Sequence, residues 1–194
     1  MRPLIKLKKT RLRLIEPLEK TGLIIVLTGD GKGKTTAALG TVLRAAGHDM
    51  KVCIIEFMKG DMYSGEIDGV RKLAPNVEFH ITGKGFCGIK GDPYPFKEHR
   101  GNAQAAIKLA KEKLLSGKFD ILVLDEINNA VDLKLVDLRQ IMELIDVKPP
   151  LMHLILTGRE AHPEIIKRAH IVTEMKEIKH AFRQGIKPQK GIDY

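Results

Sequence analysis

The chain has 194 residues, 43% hydrophobic and 29% charged, an ordinary balance for one globular domain with a substantial core. The 33 Lys and Arg against 24 Asp and Glu give a net charge of +9, with much of the excess in the opening RPLIKLKKTRLR. The apolar runs LIIVL, CII and ILVL are too short to cross a bilayer, and charges interrupt the stretch where a secretory signal would be apolar, so a cytoplasmic protein without membrane contact is expected. Cys53 and Cys87 form neither a disulfide framework nor a zinc-ligand spacing, and the seven scattered histidines carry no metal motif.

In chain order, residues 1–21 read as a basic arm and residues 22–194 as a single domain. LIIVLT (23–28) has the composition of a buried strand, and KTTAALGTVLRAA (34–46) that of a helix ended by Gly47. KVCIIEF (51–57) is a second strand, followed by a loop, a short helical segment through Val70 and Leu73, and a strand VEFHI (77–81). TGKGFCGIKGDPYPF is too rich in glycine and proline for regular structure, and a loop of that length in a compact domain is usually functional or disordered. A helix is predicted over 97–115, a strand over 119–126, an amphipathic helix over 133–145 and a strand over 151–158. A short helix PEIIKRA and a strand IVTEMKEI precede a polar tail.

Alternating near-continuous apolar strands and helices predict an α/β fold: a P-loop NTPase-like, mostly parallel sheet of about six strands with helices on both faces. Ligands of such sheets bind at the carboxyl ends of the strands. Three features fall there: the glycine loop after Thr28, Asp125-Glu126 after ILVL, and Thr157-Gly158-Arg159 after LMHLIL.

The loop TGDGKGKTTAALG (28–40) carries the strongest chemistry. Counting back from Gly33-Lys34-Thr35, the usual first glycine of a phosphate loop falls on Thr28, and the glycine stands one place later at Gly29. Gly29, Gly31 and Gly33 free successive backbone N–H groups to converge on phosphate oxygens, and the helix N-terminus adds partial positive charge. Lys34 supplies a full charge and is the expected catalytic residue, Lys32 a second cation, and Thr35 a hydroxyl for a metal ion. Thr28, Asp30 and Thr36 complete the expected nucleotide-binding loop. Asp125 and Glu126 are the complementary carboxylates for Mg²⁺ or Mn²⁺. Arg44 and Arg159 read either as phosphate or base contacts or as surface arginines. The residues thus reach a nucleoside triphosphate with a divalent cation, leaving hydrolysis, kinase transfer and attack elsewhere on the nucleotide open. The basic arm also raises a nucleotide-dependent nucleic-acid module, but aromatics make up only 5% of the chain and are not interleaved with the basic residues, so nucleic acid is not expected.

Together, TGDGKGKTTAALG, EFMKG (56–60), VLDEINNAV (123–131), LILTGREAHPEIIKRAHIVTEM (154–175) and KHAFRQGIKPQKGIDY resemble the P-loop ATP:corrinoid adenosyltransferases of the cob(I)yrinic acid a,c-diamide type. The resemblance makes the glycine loop an ATP-binding one and implies attack by cob(I)alamin or a cobinamide-type precursor on C5′ of ATP, releasing triphosphate, in adenosylcobalamin biosynthesis or salvage. It implies further a reductase or flavin as electron source, a homodimer, and an N-terminal arm folding over the active site. The chain departs from the family in the loop after the third strand, where a Gly-Phe-Thr-Trp-like stretch borders the corrin. Here it reads Gly85-Phe86-Cys87-Gly88, which makes Phe86 and Gly88 the expected corrinoid-binding positions, with Tyr94 and Phe96 as aromatics that could compensate. A P-loop ATPase or kinase acting on another substrate is the alternative reading.

Overall fold

A computed structural model describes residues 17–60, 63–85, 87–89 and 91–194. Most of the predicted basic arm, residues 1–16, lies outside the described residues, as does Phe86. Residues 17–21 are exposed, and the chain joins the body at Gly22, whose N–H donates to Pro150 O at 2.7 Å.

Six short strands, β1 (Ile24–Thr28), β2 (Val52–Glu56), β3 (Val77–Ile81), β4 (Ile121–Asp125), β5 (His153–Thr157) and β6 (Ile171–Glu174), form one sheet in the order β3-β2-β4-β5-β1-β6. Every pairing is parallel. β2 and β4 are buried at all five positions, as strands sandwiched on both faces must be, and their side chains show no polar alternation. Helices α1 (Lys34–Ala46) and α2 (Gly65–Arg71) cover one face, packing Ala38, Val42 and Val70 against Leu27, Ile54 and Val123. Helices α3 (Phe96–Leu115), α4 (Ile127–Asp132), α5 (Leu138–Asp146) and α6 (Pro163–Arg168) lie over the other, where Ala106, Ala110, Ile141, Leu144 and Ile165 meet Val26, Ile55, Leu122 and Leu154. No helix among the described residues is long and apolar enough to cross a membrane.

The structure corrects two element boundaries. The predicted helix over 133–145 is broken, because the N–H groups of Leu135 and Val136 both turn back to Ala130 O while Leu135 O accepts from Gln104 Nε2 of α3. Both side chains are buried in that turn, and α5 begins only after Asp137, whose N–H is closed by Gln140 Oε1 at 3.0 Å. The residues just before it form α4, a helix that the pattern does not predict. The predicted strand IVTEMKEI ends early, at Glu174. Met175 N makes the last bond of the ladder to Thr28 O, and Met175 O then receives the N–H of Gly31, so the chain leaves the sheet to support the glycine loop.

Candidate active site

The parallel sheet delivers the ends of β1, β5, β4 and β2 side by side, and the site is built from the residues at and just beyond each strand end. After β1, Gly29 and Gly33 adopt φ of 93° and 121°, values that side chains resist. A Cβ on Gly29 would lie 2.4 Å from Met175 O, and one on Gly31 2.8 Å from Lys176 O. The loop is therefore pressed against the exit of β6, and only glycine fits between. Lys34 turns back beneath it, donating to Gly29 O at 2.7 Å and Gly31 O at 2.9 Å. It is 7% exposed, and loss of hydration lowers its pKa despite the opposing charge of Glu126, so its charge is incompletely compensated and favours an arriving anion.

After β4, Asp125 is 2% exposed and bridges two hydroxyls: Thr157 Oγ1 donates to Oδ1 at 2.6 Å and Thr35 Oγ1 to Oδ2 at 3.2 Å. Thr157 can reach it because β5 lies between β4 and β1, and the same hydroxyl accepts the N–H of Glu126 at 2.9 Å. Glu126 has φ 62°, a left-handed conformation unusual for a residue with a side chain, which ends the strand and starts α4. Burial pushes the pKa of both carboxyls up, and for Glu126 the neighbouring Asp125 adds to it.

Glu56, at the end of β2, is a site residue that the sequence pattern does not single out. It is Asp125's partner in the sheet register, 2% exposed, and its Oε2 has no hydrogen-bond partner among the described residues. Burial pushes its pKa up to about 7, against the pull of Lys59, whose Nζ lies 3.3 Å away and also pairs with Glu66. Glu56 and Lys59 both lie in the stretch EFMKG that carries the resemblance, and that stretch is the available signal.

Lys34, Thr35, Glu126 and Lys59 face a groove of about 620 Å³ also lined by Lys32, Thr36, Glu66 and the segment Gly191–Tyr194, whereas the buried Glu56 and Asp125 do not line it. Lys32, Lys34 and Glu126 also line a neighbouring hollow of about 430 Å³ with Asp30, Gly31, Asn129, Arg159 and His180. Arg159 stands 3.7 Å from Asp30, its N–H held by Asn129 Oδ1 at 2.7 Å. Lys32 pairs with Asp193 at 2.8 Å, so the terminal GIDY folds over the loop. Thr28 serves as a support, its hydroxyl accepting Ala161 N at 3.2 Å. Arg44 is exposed in the last turn of α1, about 15 Å along the helix from Lys34, and lines neither hollow.

The loop after β3 starts against the same site. Thr82 binds Glu56 O through both N–H and hydroxyl, and a Cβ on Gly60 would lie 2.4 Å from Gly85 N. Backbone thus runs on backbone beside Lys59. Further out, Gly88 is exposed with φ 76° and lines neither hollow.

A glycine loop between a buried strand and a helix, with a cation beneath it and buried carboxylates on the adjoining strand ends, defines a P-loop nucleotide-binding α/β protein. The flagellar accessory protein FlaH of Methanocaldococcus jannaschii shares the fold, at 11% identity and a TM-score of 0.50 over 80% of this chain and 71% of that one. The family ATP:corrinoid adenosyltransferase BtuR/CobO/CobP matches residues 20–194, and the chain belongs to it. It is 36% identical to the corrinoid adenosyltransferase of Pseudomonas aeruginosa over 94% of this chain and 88% of that one. The corrinoid adenosyltransferase of Escherichia coli K12 is also 36% identical, over 96% of this chain and 93% of its own.

Proposed function

We propose that the groove holds ATP by its triphosphate on the glycine loop, and that the cobalt of a reduced corrinoid approaches C5′ from the side of residues 82–95. The activity is the family's, ATP-dependent adenosylation of corrinoids, which makes the protein a transferase. The cobalt lone pair forms the bond to C5′, the C5′–O bond breaks, and its electrons leave on the triphosphate. Charge thus develops on the leaving group, which is where fixed donors act most strongly. The observation that carries the reading is Lys34, held under the loop by two carbonyls with its charge partly uncompensated.

The site fits a divalent cation. Its donors are hard oxygens, the carboxyls of Glu56, Asp125 and Glu126 are buried at a cost to their charged forms, and one oxygen of Glu56 lacks a partner among the described residues. Thr35, Asp125 and Glu126 would hold Mg²⁺ or Mn²⁺, which when bound neutralises developing phosphate charge. Lys32, Asp30 and Arg159 line the path of the remaining phosphates, while Asp125 and Thr157 fix Thr35 and the Glu126 backbone. Phe86 and Gly88 remain the proposed corrinoid positions on the strength of the resemblance. A flavin or protein reductant, a homodimeric assembly in which the basic arm closes over the corrinoid, and a cytoplasmic setting complete the proposal.

The test is incubation with ATP, Mg²⁺ and a chemically reduced corrinoid, following the visible spectrum and the phosphate product. Formation of a cobalt–carbon bond with release of triphosphate is expected. Release of ADP with no change at cobalt would overturn the reading in favour of an ATPase or kinase.

A further inference from the structure

Outside the nucleotide groove, two clusters among the described residues combine three ligand types, and one of them stands out. Cys87 and Asp92 of the loop after β3 and His99 in the first turn of α3 place a sulfur, a carboxylate oxygen and a ring nitrogen within 4.8 Å of one another. No spacing motif marks them, which is why the sequence shows no metal site.

The cluster is ordered from behind. Asp92 accepts the N–H of Gly88 at 2.9 Å and of Tyr94 at 3.0 Å, and both its oxygens lie 3.0 Å from His99 Nε2. His99 is 4% exposed, and the Tyr94 ring meets it edge-on at 6.0 Å, so the imidazole is fixed. The other such group, Cys53, Glu78 and His80, differs in kind. There Lys113 pairs with Glu78, and burial pushes the fully buried Cys53 thiol up to about 12; burial and the Asp92 charge raise the Cys87 thiol as well, but Cys87 is only half-buried and open to an arriving ion. At Cys87–Asp92–His99 the carboxylate's only ion pair among the described residues is His99 itself.

We propose that Cys87, Asp92 and His99 bind a borderline-soft divalent cation of the Zn²⁺ class, with a fourth position left for water or another ligand. Thiolate, imidazole and carboxylate are the donor set such ions take, and tetrahedral coordination at about 2.0–2.3 Å brings ligand atoms to roughly 3.5 Å apart. The imidazole and carboxylate are already close enough, and the sulfur needs an approach of only about 1 Å, within the range of side-chain rotation. The ion replaces the hydrogen bond between His99 and Asp92, with His99 neutral, and its charge deprotonates Cys87, the proton passing to buffer. It thereby ties the loop carrying Gly88 to the start of α3.

Co²⁺ replaces Zn²⁺ as a spectroscopic probe. The full-length, thiol-reduced protein, saturated with ATP and Mg²⁺ to occupy the oxygen site, is titrated with Co²⁺. A sulfur-to-cobalt charge-transfer band that saturates at a single equivalent and disappears on adding Zn²⁺ is expected. Cys87→Ser should abolish the band and Cys53→Ser should keep it. His99→Ala should weaken Co²⁺ binding tenfold or more, as should Asp92→Asn, which keeps a hydrogen-bond acceptor in the loop. Absence of the band in the wild-type protein, or its survival in Cys87→Ser, would overturn the proposal. Circular dichroism matching wild type establishes that each variant is folded. If Cys87→Ser is not, an unchanged affinity in Asp92→Asn would overturn the proposal instead.

Discussion

Two loops leave the same edge of the sheet and hold their shape by opposite means. The loop after β1 is fixed by backbone: Gly31 N–H on Met175 O, Lys34 on two carbonyls, and no room for a Cβ at Gly29 or Gly31. The loop after β3 is fixed further out by side chains, Asp92 on His99 and Lys84 on Glu98, and a Cβ at Gly85, Gly88 or Gly91 would meet open space. On the proposed reading the first holds a ligand part that never varies, the phosphate chain, and a side chain at Gly29 or Gly31 would collide with backbone. In the second, a side chain at Gly85, Gly88 or Gly91 meets no neighbour, and the cost of replacing them is confined to their left-handed backbone, φ of 99°, 76° and 89°; by the resemblance, it is also where this chain departs from the family at Gly88.

The comparison breaks first at Lys34. Lys34→Ala is expected to lower turnover about a hundredfold or more, roughly 3 kcal/mol of transition-state stabilisation, measured as the rate of cobalt–carbon bond formation. Near-normal turnover would mean that the backbone-built loop does its work without its cation.

A comparable effect concerns stability. The carboxyl of Glu56 has a folded-state pKa raised to about 7 by burial, above its ordinary 4.5, so the folded protein favours the protonated form. Its contribution is fully present below about pH 4.5 and is lost as pH rises towards 7 and beyond, on the order of 3 kcal/mol once ionisation is complete. In buffer without ATP or divalent cation, Glu56→Gln should flatten that fall, as read by thermal melts across the range. Parallel curves for the two proteins would rule out an uncompensated carboxylate.

Thr157→Val removes the hydroxyl that donates to Asp125 in buried surroundings and accepts from the part-buried Glu126 N–H. A loss of about 1–3 kcal/mol in chemical denaturation is expected from the groups left unsatisfied. A loss below that range would show that Thr35 alone secures Asp125. The smallest effect belongs to the other loop: Tyr94→Ala removes the ring that Lys84 covers at 4.5 Å. It should raise KM for the corrinoid several-fold, about 1 kcal/mol, with KM for ATP unchanged. An equal change in both constants would erase the division of labour between the loops.

The parts of this site that depend on neighbours along the chain are legible in the sequence. Glycines at 29, 31 and 33 between an apolar run and a helix announce a phosphate loop, and ILVLDE announces its acidic counterpart. Glu56 is marked only by its place in the stretch EFMKG that carries the resemblance; its position beside Asp125 follows from strand order and register. Thr157 is legible as part of a strand end, but its bridging role follows from β5 lying between β4 and β1. The break before α5 is masked by Leu133, Leu135 and Val136, whose apolar spacing continues that of a helix; the reciprocal signal, Asp137 three residues before Gln140, is present. Arg44 shows the limit of reading charge alone, since a basic residue near a phosphate loop in sequence ends in the last turn of α1, exposed to solvent.

The ion pair between Lys32 and Asp193 gives the loop an internal competitor. On the proposed reading, a triphosphate docking on Lys32 would exchange with a tethered carboxylate as well as with solvent, one ion pair opening as another closes. Binding then releases fewer counterions than the loop's charge alone implies, and its dependence on ionic strength is correspondingly shallow. On the same reading, Asp193 would be at hand to take back the lysine as triphosphate departs, so the tail that folds over the loop would help clear the leaving group.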